Sequence, residues 1–153
     1  MSSIQNRIDA FVALGNFLSQ FSSNKIEKSP TVPFNDLFFD GFIHQIKLAE
    51  EQNSWFTKEA ILFSIDNWTS ALSHKNLNQW ISNENVVEKS SKTVAIVMAG
   101  NIPLVGFHDF LSVLICGHSV LVKQSSNDKH LIPYLAKYLE YVEENLKGKI
   151  SFT

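Results

Sequence analysis

The sequence predicts an α/β fold: a helical N-terminal region over residues 1–90, then the first βαβα of a parallel sheet over residues 91–153. Three observations predict it. Apolar residues recur at helical spacing up to about residue 83, and the period then changes to a β-branched apolar run at 93–98. The thirty residues 93–122 carry one formal charge, Asp109, as strands do in the middle of a parallel sheet with both faces covered. The polar groups of this region, Asn101, Lys123, Ser125 and Ser126, fall where strands end, the edge at which such sheets bind ligands.

The elements follow in order. Ile4, Ile8, Phe11, Val12 and Leu18 define a first helix behind Ser2 and Ser3, which supply a cap. Residues 22–33 hold Ser-Ser-Asn and two prolines and read as a connector. Asn35 is expected to cap a second helix running to about Gln52, with Leu37, Phe38, Phe42, Ile46 and Leu48 as its apolar bulk. Thr57 opens a third, in which Ile61, Ile65, Trp68 and Leu72 share one stripe, and a shorter helix holds Leu77, Trp80 and Ile81. The polar run 83–92 is the passage to the sheet.

Residues 93–98 are the first strand. Pro103 is placed in the first turn of a helix that continues through Leu104, Phe107, Leu111 and Leu114 and stops at Gly117. Residues 119–123 form a second strand. Asn127 or Asp128 is expected to cap a long helix with Leu131, Leu135, Leu139, Val142 and Leu146 inward, Glu143 and Lys147 paired outside, and Gly148 as its end. Residues 150–153 resemble the start of a third strand. A sheet stopped there is incomplete, so the expectation is an N-terminal piece of a longer protein.

The totals exclude several function classes. Hydrophobic content of 44% with 18% charge is that of a globular chain with a core. A net charge of −2 and a pI near 6.2 give no basic patch for nucleic acid. One cysteine excludes an internal disulfide framework and fits a reducing compartment. The first eleven residues show no signal-peptide pattern, and the longest apolar stretch, 110–122, is too short to span a bilayer. The prediction is a soluble, cytoplasmic protein without a membrane span.

The nucleotide fingerprints fail. Gly100 and Gly106 match neither the G-x-G-x-x-G of dinucleotide sites nor the phosphate loop. The five histidines, His44, His74, His108, His118 and His130, show no metal spacing, so no metal site is expected; His108 and His118 read as turn or core histidines. Cys116 ends an apolar helix, where a free thiol packs as a small hydrophobe and the helix dipole disfavours a thiolate. Phe38, Phe39, Phe42, Trp55 and Trp68 read as helix packing ahead of an acyl tunnel. Asn101 either caps the following helix or donates a hydrogen bond into a cleft as an oxyanion-stabilising group, and spacing alone puts the cap first. Lys123, with Ser125 and Ser126, is either a solvated strand end or a holder of ribose and phosphate.

Two motifs in register then carry a resemblance. Ala99-Gly100-Asn101-Ile102-Pro103, and Cys116-Gly117-His118-Ser119-Val120-Leu121-Val122-Lys123-Gln124-Ser125-Ser126, resemble the Pro-Trp-Asn-Phe-Pro and Ala-Gly-Asn-x-Val-Val-x-Lys-Pro-Ser-Glu of the aldehyde dehydrogenase superfamily. The fold implied is the truncated start of an aldehyde-dehydrogenase-like cofactor domain. Gly-Asn-Ile-Pro, Lys-Gln-Ser-Ser and Asn-Ser-Trp-Phe-Thr at 53–57 are more similar to the acyl-CoA reductase branch, which includes the fatty-acid reductase of bacterial bioluminescence.

The resemblance implies site roles. Asn101 becomes the oxyanion asparagine, which reverses the order given by spacing. Lys123 holds the adenosine ribose with Ser125 and Ser126 beside it, and Ala99 and Gly100 lie along the cofactor. Ser126 stands where the superfamily has a glutamate, so NADPH becomes acceptable and NADH stays open. Gly100 replaces a tryptophan and Gln124 a proline, the first opening space near the turn.

The implied reaction reduces a fatty acyl thioester, carried by CoA or an acyl carrier, to aldehyde through a cysteine thioester. The nucleophile is expected downstream of the lysine motif and is not Cys116, so the 153 residues are not expected to catalyse the reaction alone. An aldehyde-oxidising dehydrogenase, and a non-catalytic binding module completed by a partner, remain as alternatives. A homo-oligomer is left open.

Overall fold

The computed structural model describes residues 2–87 and 90–153, so residues 88 and 89 of the polar passage lie outside the described residues. The described residues form an α/β fold with a helical N-terminal part. Four helices come first: α1 (Ile4–Leu18), α2 (Asn35–Gln52), α3 (Lys58–Ala71) and α4 (His74–Asn83). Then follow β1 (Thr93–Val97), α5 (Phe107–Ile115), β2 (Ser119–Lys123), α6 (Leu131–Val142), a 3-10 turn (Glu144–Leu146) and β3 (Ile150–Phe152). The sheet is parallel in the order β1-β2-β3, with Thr93 opposite Ser119 and Val120 opposite Ile150.

The local start signals act as the sequence suggests. The Ser3 hydroxyl accepts from Asn6 N at 3.1 Å and that of Thr57 from Ala60 N at 3.1 Å, each satisfying an orphan amide at a helix start. Asn35 does not cap α2: the cap position is Phe34, in a left-handed conformation at φ 60°, and Asn35 is buried. Its amide donates to Ser29 O at 2.7 Å and pairs with Gln20, so it pins the 22–33 connector instead.

Two other starts differ from expectation for one reason, proline. Ile102 O accepts from Val105 N at 3.2 Å, with Pro103 second and Leu104 third at φ 63°, the arrangement of a type II turn. Pro103 therefore belongs to a turn, and α5 begins only at Phe107. At α6, neither Asn127 nor Asp128 is the cap; the helix begins at Leu131. Pro133 has no N–H to donate, so it must lie in the first turn, which excludes a start at 127 or 128. The far end also differs. Glu143 turns extended and its carboxylate accepts from Asn145 N at 3.0 Å, closing a separate turn, while Lys147 pairs with Glu144 at 3.7 Å, not with Glu143. Gly148 follows at φ 78°.

One contiguous core joins the layers. Phe17 of α1 stacks on Tyr138 of α6 at 4.4 Å and meets Phe21 and Phe42, while Ile61, Ile65, Leu131, Leu135, Leu139 and Leu146 are fully buried. Gly15 is needed where α1 crosses the end of α3: a Cβ there would sit 2.6 Å from Leu72 O. Phe38, Phe39 and Phe42 pack in this core, as their spacing suggests, whereas Leu37 is exposed and Leu48 half-buried. Trp68 packs edge-on against Phe107 at 4.7 Å.

Among the described residues the sheet is covered on one face only, where burial on both was expected. Val120 and Val122 are buried, with Ile96 packed partly against the core, but Thr93, Ala95 and Val97 are exposed, Val97 at 81%. The helices of the described residues lie on the Val120–Val122 side, and β1 is an edge strand, not a central one.

Arg7 ties the first helix to the sheet layer. It is 3% exposed, and its Nε donates to Ile115 O at 2.9 Å, satisfying a carbonyl at the C-terminal end of α5, while Nη1 donates to Ser2 O. Arg7→Met should keep the packing of the stem yet lower unfolding stability by about 2 kcal/mol, because it strands those carbonyls. Urea unfolding measures this, and an unchanged midpoint would remove Arg7 from the interactions that hold the layers together.

Candidate functional site

A parallel sheet sends its successive strands out at one edge, and here two loops leave that edge side by side. Residues 98–106 follow β1 and residues 124–130 follow β2. Val97 opposite Lys123 fixes their relative position, and Met98 N extends the ladder by donating to Lys123 O at 3.0 Å.

The end of α2 holds both loops. Asn53 Nδ2 donates to Gly100 O at 3.1 Å and to Asn127 O at 3.3 Å, and Gln52 Nε2 donates to Ser126 O at 3.2 Å. Asn53 also spends its backbone N–H on Ala49 O at 3.2 Å and its Oδ1 on Trp55 N at 3.0 Å. One residue thus ends α2, fixes the 53–57 turn and joins the two strand-end loops.

Between them lies a polar cleft of about 450 Å³. Gly100, Asn101, Ser125 and Asn127 form one side, and residues 52–55 form the other. Asn101 is exposed, and α5 starts six residues later at Phe107 with Gly106 in the cap position, so Asn101 does not cap it. Gly100 is required by close approach: a Cβ there would overlap the Ser125 hydroxyl and lie 2.6 Å from the Ser125 Cβ. The space expected to open at this glycine is therefore filled by Ser125. Ser125 Oγ in turn accepts from Asn127 N at 3.2 Å.

The structure thus brings Gly100, Asn101 and Ser125 together. Ala99, Lys123 and Ser126 are exposed nearby and do not form the cleft wall. Lys123 shares the open face of the sheet with Val97, and its ammonium has no hydrogen bond or ion pair among the described residues. The sequence reading did not place Gln52 and Asn53 at this cleft. Asn53 opened the Asn-Ser-Trp-Phe-Thr run of the resemblance, but nothing in the sequence brings that run to the strand-end loops.

The other candidates lie elsewhere. Cys116 is half-buried at the C-terminal end of α5. Because α5 returns from the end of β1 to the beginning of β2, this thiol sits at the opposite edge of the sheet from Asn101. It shares a separate cavity with Trp80 and His118. His118 follows Gly117 in a turn, as expected, with Nδ1 accepting from Lys92 N at 3.2 Å, but His108 is exposed on the first turn of α5, neither turn nor core. No group of metal-ligating side chains occurs among the described residues, and no described helix is long and apolar enough to cross a membrane.

The described residues form an α/β fold with a polar cleft at the C-terminal edge of its parallel strands, the edge at which open α/β sheets bind ligands. The family model described as acyl-CoA reductase (LuxC) matches residues 41–153, most of the chain. The chain belongs to the acyl-CoA reductase (LuxC) family. No curated protein and no solved structure matches it.

Asp128 adds a pH dependence beside the cleft. Burial pushes its carboxyl up from the usual 3.8 to about 6. The folded state therefore holds the proton more tightly than the unfolded chain, so the carboxylate costs stability above about pH 6 and that cost disappears as pH falls from about 6 to 3.8. Asp128→Asn should raise the thermal midpoint at pH 7.5, by an amount equivalent to about 1 kcal/mol after allowing for solvent screening, and leave it unchanged near pH 3, below both pKa values. Thermal melts at the two pH values test the sign; an equal shift at both would show that the charge is not the cause.

Proposed function

We propose that the protein is a cytoplasmic reductase that converts a fatty acyl thioester to the aldehyde with NADPH, through a cysteine thioester. The observation that carries this reading is the family match over residues 41–153, because that span contains every residue of the cleft. The acyl donor is a thioester of CoA or of an acyl carrier.

In this reading the Asn101 amide donates to the oxygen of the thioester carbonyl as it gains charge during attack by the thiolate. The bond formed is cysteine sulfur to acyl carbon, and the bond broken is acyl carbon to the departing thiol. Cys116, the one cysteine of the 153 residues, is not given this role, since it lies at the other sheet edge from Asn101; the thiolate belongs to a part of the full-length protein downstream of the lysine motif.

The residues at the edge fit a dinucleotide phosphate. The unengaged ammonium of Lys123 and the Ser125 hydroxyl suit ribose and phosphate oxygens. Ser126 adds a hydroxyl without the negative charge that would repel a 2′-phosphate, and Ala99 and Gly100 offer only small side chains along its path. NADPH, when bound, would supply hydride to the acyl carbon; the bond from that carbon to the cysteine sulfur then breaks, which releases the aldehyde and returns the thiol. NADH uses the same contacts apart from the 2′-phosphate.

Reductase activity of the intact protein with long-chain acyl-CoA and NADPH, read as aldehyde and free CoA, tests the reading. Oxidation of aldehyde with NAD and no thioester reduction would instead support an aldehyde-oxidising dehydrogenase. Asn101→Ala should lower kcat about 100- to 1,000-fold while leaving the KM for acyl-CoA nearly unchanged. A variant with full kcat would end the oxyanion role. Lys123→Ala should raise the KM for NADPH about tenfold, far above its effect on acyl-CoA, as loss of one charge-assisted contact requires. Equal effects on both substrates would remove Lys123 from the cofactor site.

A further inference from the structure

We infer that Trp55 is the stacking wall of the cleft and takes the planar nitrogen heterocycle of a nucleotide. The inference rests on the nucleotide-dependent reading above and names a residue, and the part of the nucleotide it meets, that reading does not assign.

Trp55 is 74% exposed, although its neighbour Phe56 is fully buried and anchors the same turn in the core. The turn itself is tightly held. Trp55 N donates to Asn53 Oδ1 at 3.0 Å, Phe56 N donates to Asn53 O at 2.9 Å, and Thr57 caps α3 directly afterwards. The indole is therefore presented in water by a fixed backbone, not by a loose end. Asn53, which sets that backbone, also bonds to Gly100 O and Asn127 O, so the backbone that carries the indole is held in register with the loop that carries Asn101.

The composition of the cleft selects the ligand. Trp55 is its one large apolar side chain; the other walls are amides, hydroxyls and the backbone of Gly100. An alkyl chain placed there would strip water from amides and hydroxyls without replacing their hydrogen bonds. A bare phosphate or metal ion would leave the indole unused. A heteroaromatic ring satisfies both kinds of wall, its face on the indole and its ring nitrogens or carboxamide on the amides. The volume of about 450 Å³ lies in the range of about 300–1,000 Å³ usual for small-molecule sites.

Two rings answer to this chemistry, the adenine carried by both NADPH and CoA, and the nicotinamide. Binding of three probes to the intact protein separates them: 2′-phospho-ADP-ribose, adenosine 3′,5′-bisphosphate and nicotinamide mononucleotide. At least one should quench the emission of the exposed indole on titration. Trp55→Ala should abolish that quench and weaken binding of the same probe roughly tenfold, while Trp55→Tyr, which keeps a ring, retains most of the affinity. The thermal midpoint should stay unchanged in both variants, because the bonds of this turn run through its backbone. If Trp55→Ala binds every probe as tightly as the parent, the inference is overturned and nucleotide binding stands. If the parent binds none of the three, the inference and the nucleotide-dependent reading both fall.

Discussion

A three-stranded parallel sheet covered on one face has to draw its stability from the helical layer on that face, and that layer is organised around α1. Phe11, Leu14, Phe17 and Leu18 are all fully buried on one broad face of α1, while Gln5, Asn6, Asp9 and Asn16 stand exposed on the other. Its contacts run to α3, α4, α5 and α6. Two of them leave no latitude. Gly15 lets the end of α3 approach to within van der Waals distance, and Arg7 spends a buried charge on the carbonyl at the end of α5. A buried guanidinium is costly unless its donors are used, so the bond to Ile115 O specifies how α5 lies against α1. Since α5 packs on β1 and β2, the position of the sheet follows from a residue in the first two turns of the chain.

From that frame the cleft is assembled by polar contacts that contribute little energy and much geometry. Each amide bond of Asn53 adds about 1 kcal/mol at most where solvent competes. Its effect is to set two loops, which β1 and β2 would otherwise release independently, at a fixed separation under the 53–57 turn. Gln52 repeats the contact one residue earlier, on Ser126 O. The strained backbone of Leu104, left-handed at φ 63° although the residue is not glycine, is held because its side chain is 2% exposed. The loop after β1 is thus fixed at Gly100 by a polar clamp and at Leu104 by burial, with Asn101 between them.

What the sequence made legible was local. Ser3 and Thr57 cap their helices because a cap needs only its own next three residues, and the inward residues of α6 follow from their spacing alone. The misread starts at Pro103 and Pro133 were also local, but proline sends two opposite signals, a helix's first turn or a tight turn, and the choice at Pro103 rests on the burial of Leu104. Asn35 could be placed on the connector only by knowing that Gln20 lies opposite it. The open face of β1 was illegible for a related reason. Its residues are apolar on both sides, and only the positions of the helices decide which side is filled. That Asn101, Gly100 and Ser125 lie near one another was legible through two motifs in register, whereas Asn53 stands 47 residues away from the carbonyl it holds.

The pair Gly100 and Ser125 shows why the two motifs have to be read as one unit. The first residue lies in the loop after β1 and the second in the loop after β2. In the folded chain they occupy one volume. A Cβ on residue 100 already overlaps the Ser125 hydroxyl, so no larger side chain fits at 100 while the β2 loop keeps this path. The path of that loop is set by three bonds that do not depend on residue 100's side chain: Asn53 to Asn127 O, Gln52 to Ser126 O, and Asn127 N to Ser125 Oγ. Glycine at 100 is therefore a consequence of how α2 draws the β2 loop across the sheet edge. The cleft left beside it takes its one broad apolar surface from Trp55, on the same α2–α3 turn that positions the loop. The turn between α2 and α3 and the loops after β1 and β2 therefore line one cleft together, and the path of each loop depends on that turn.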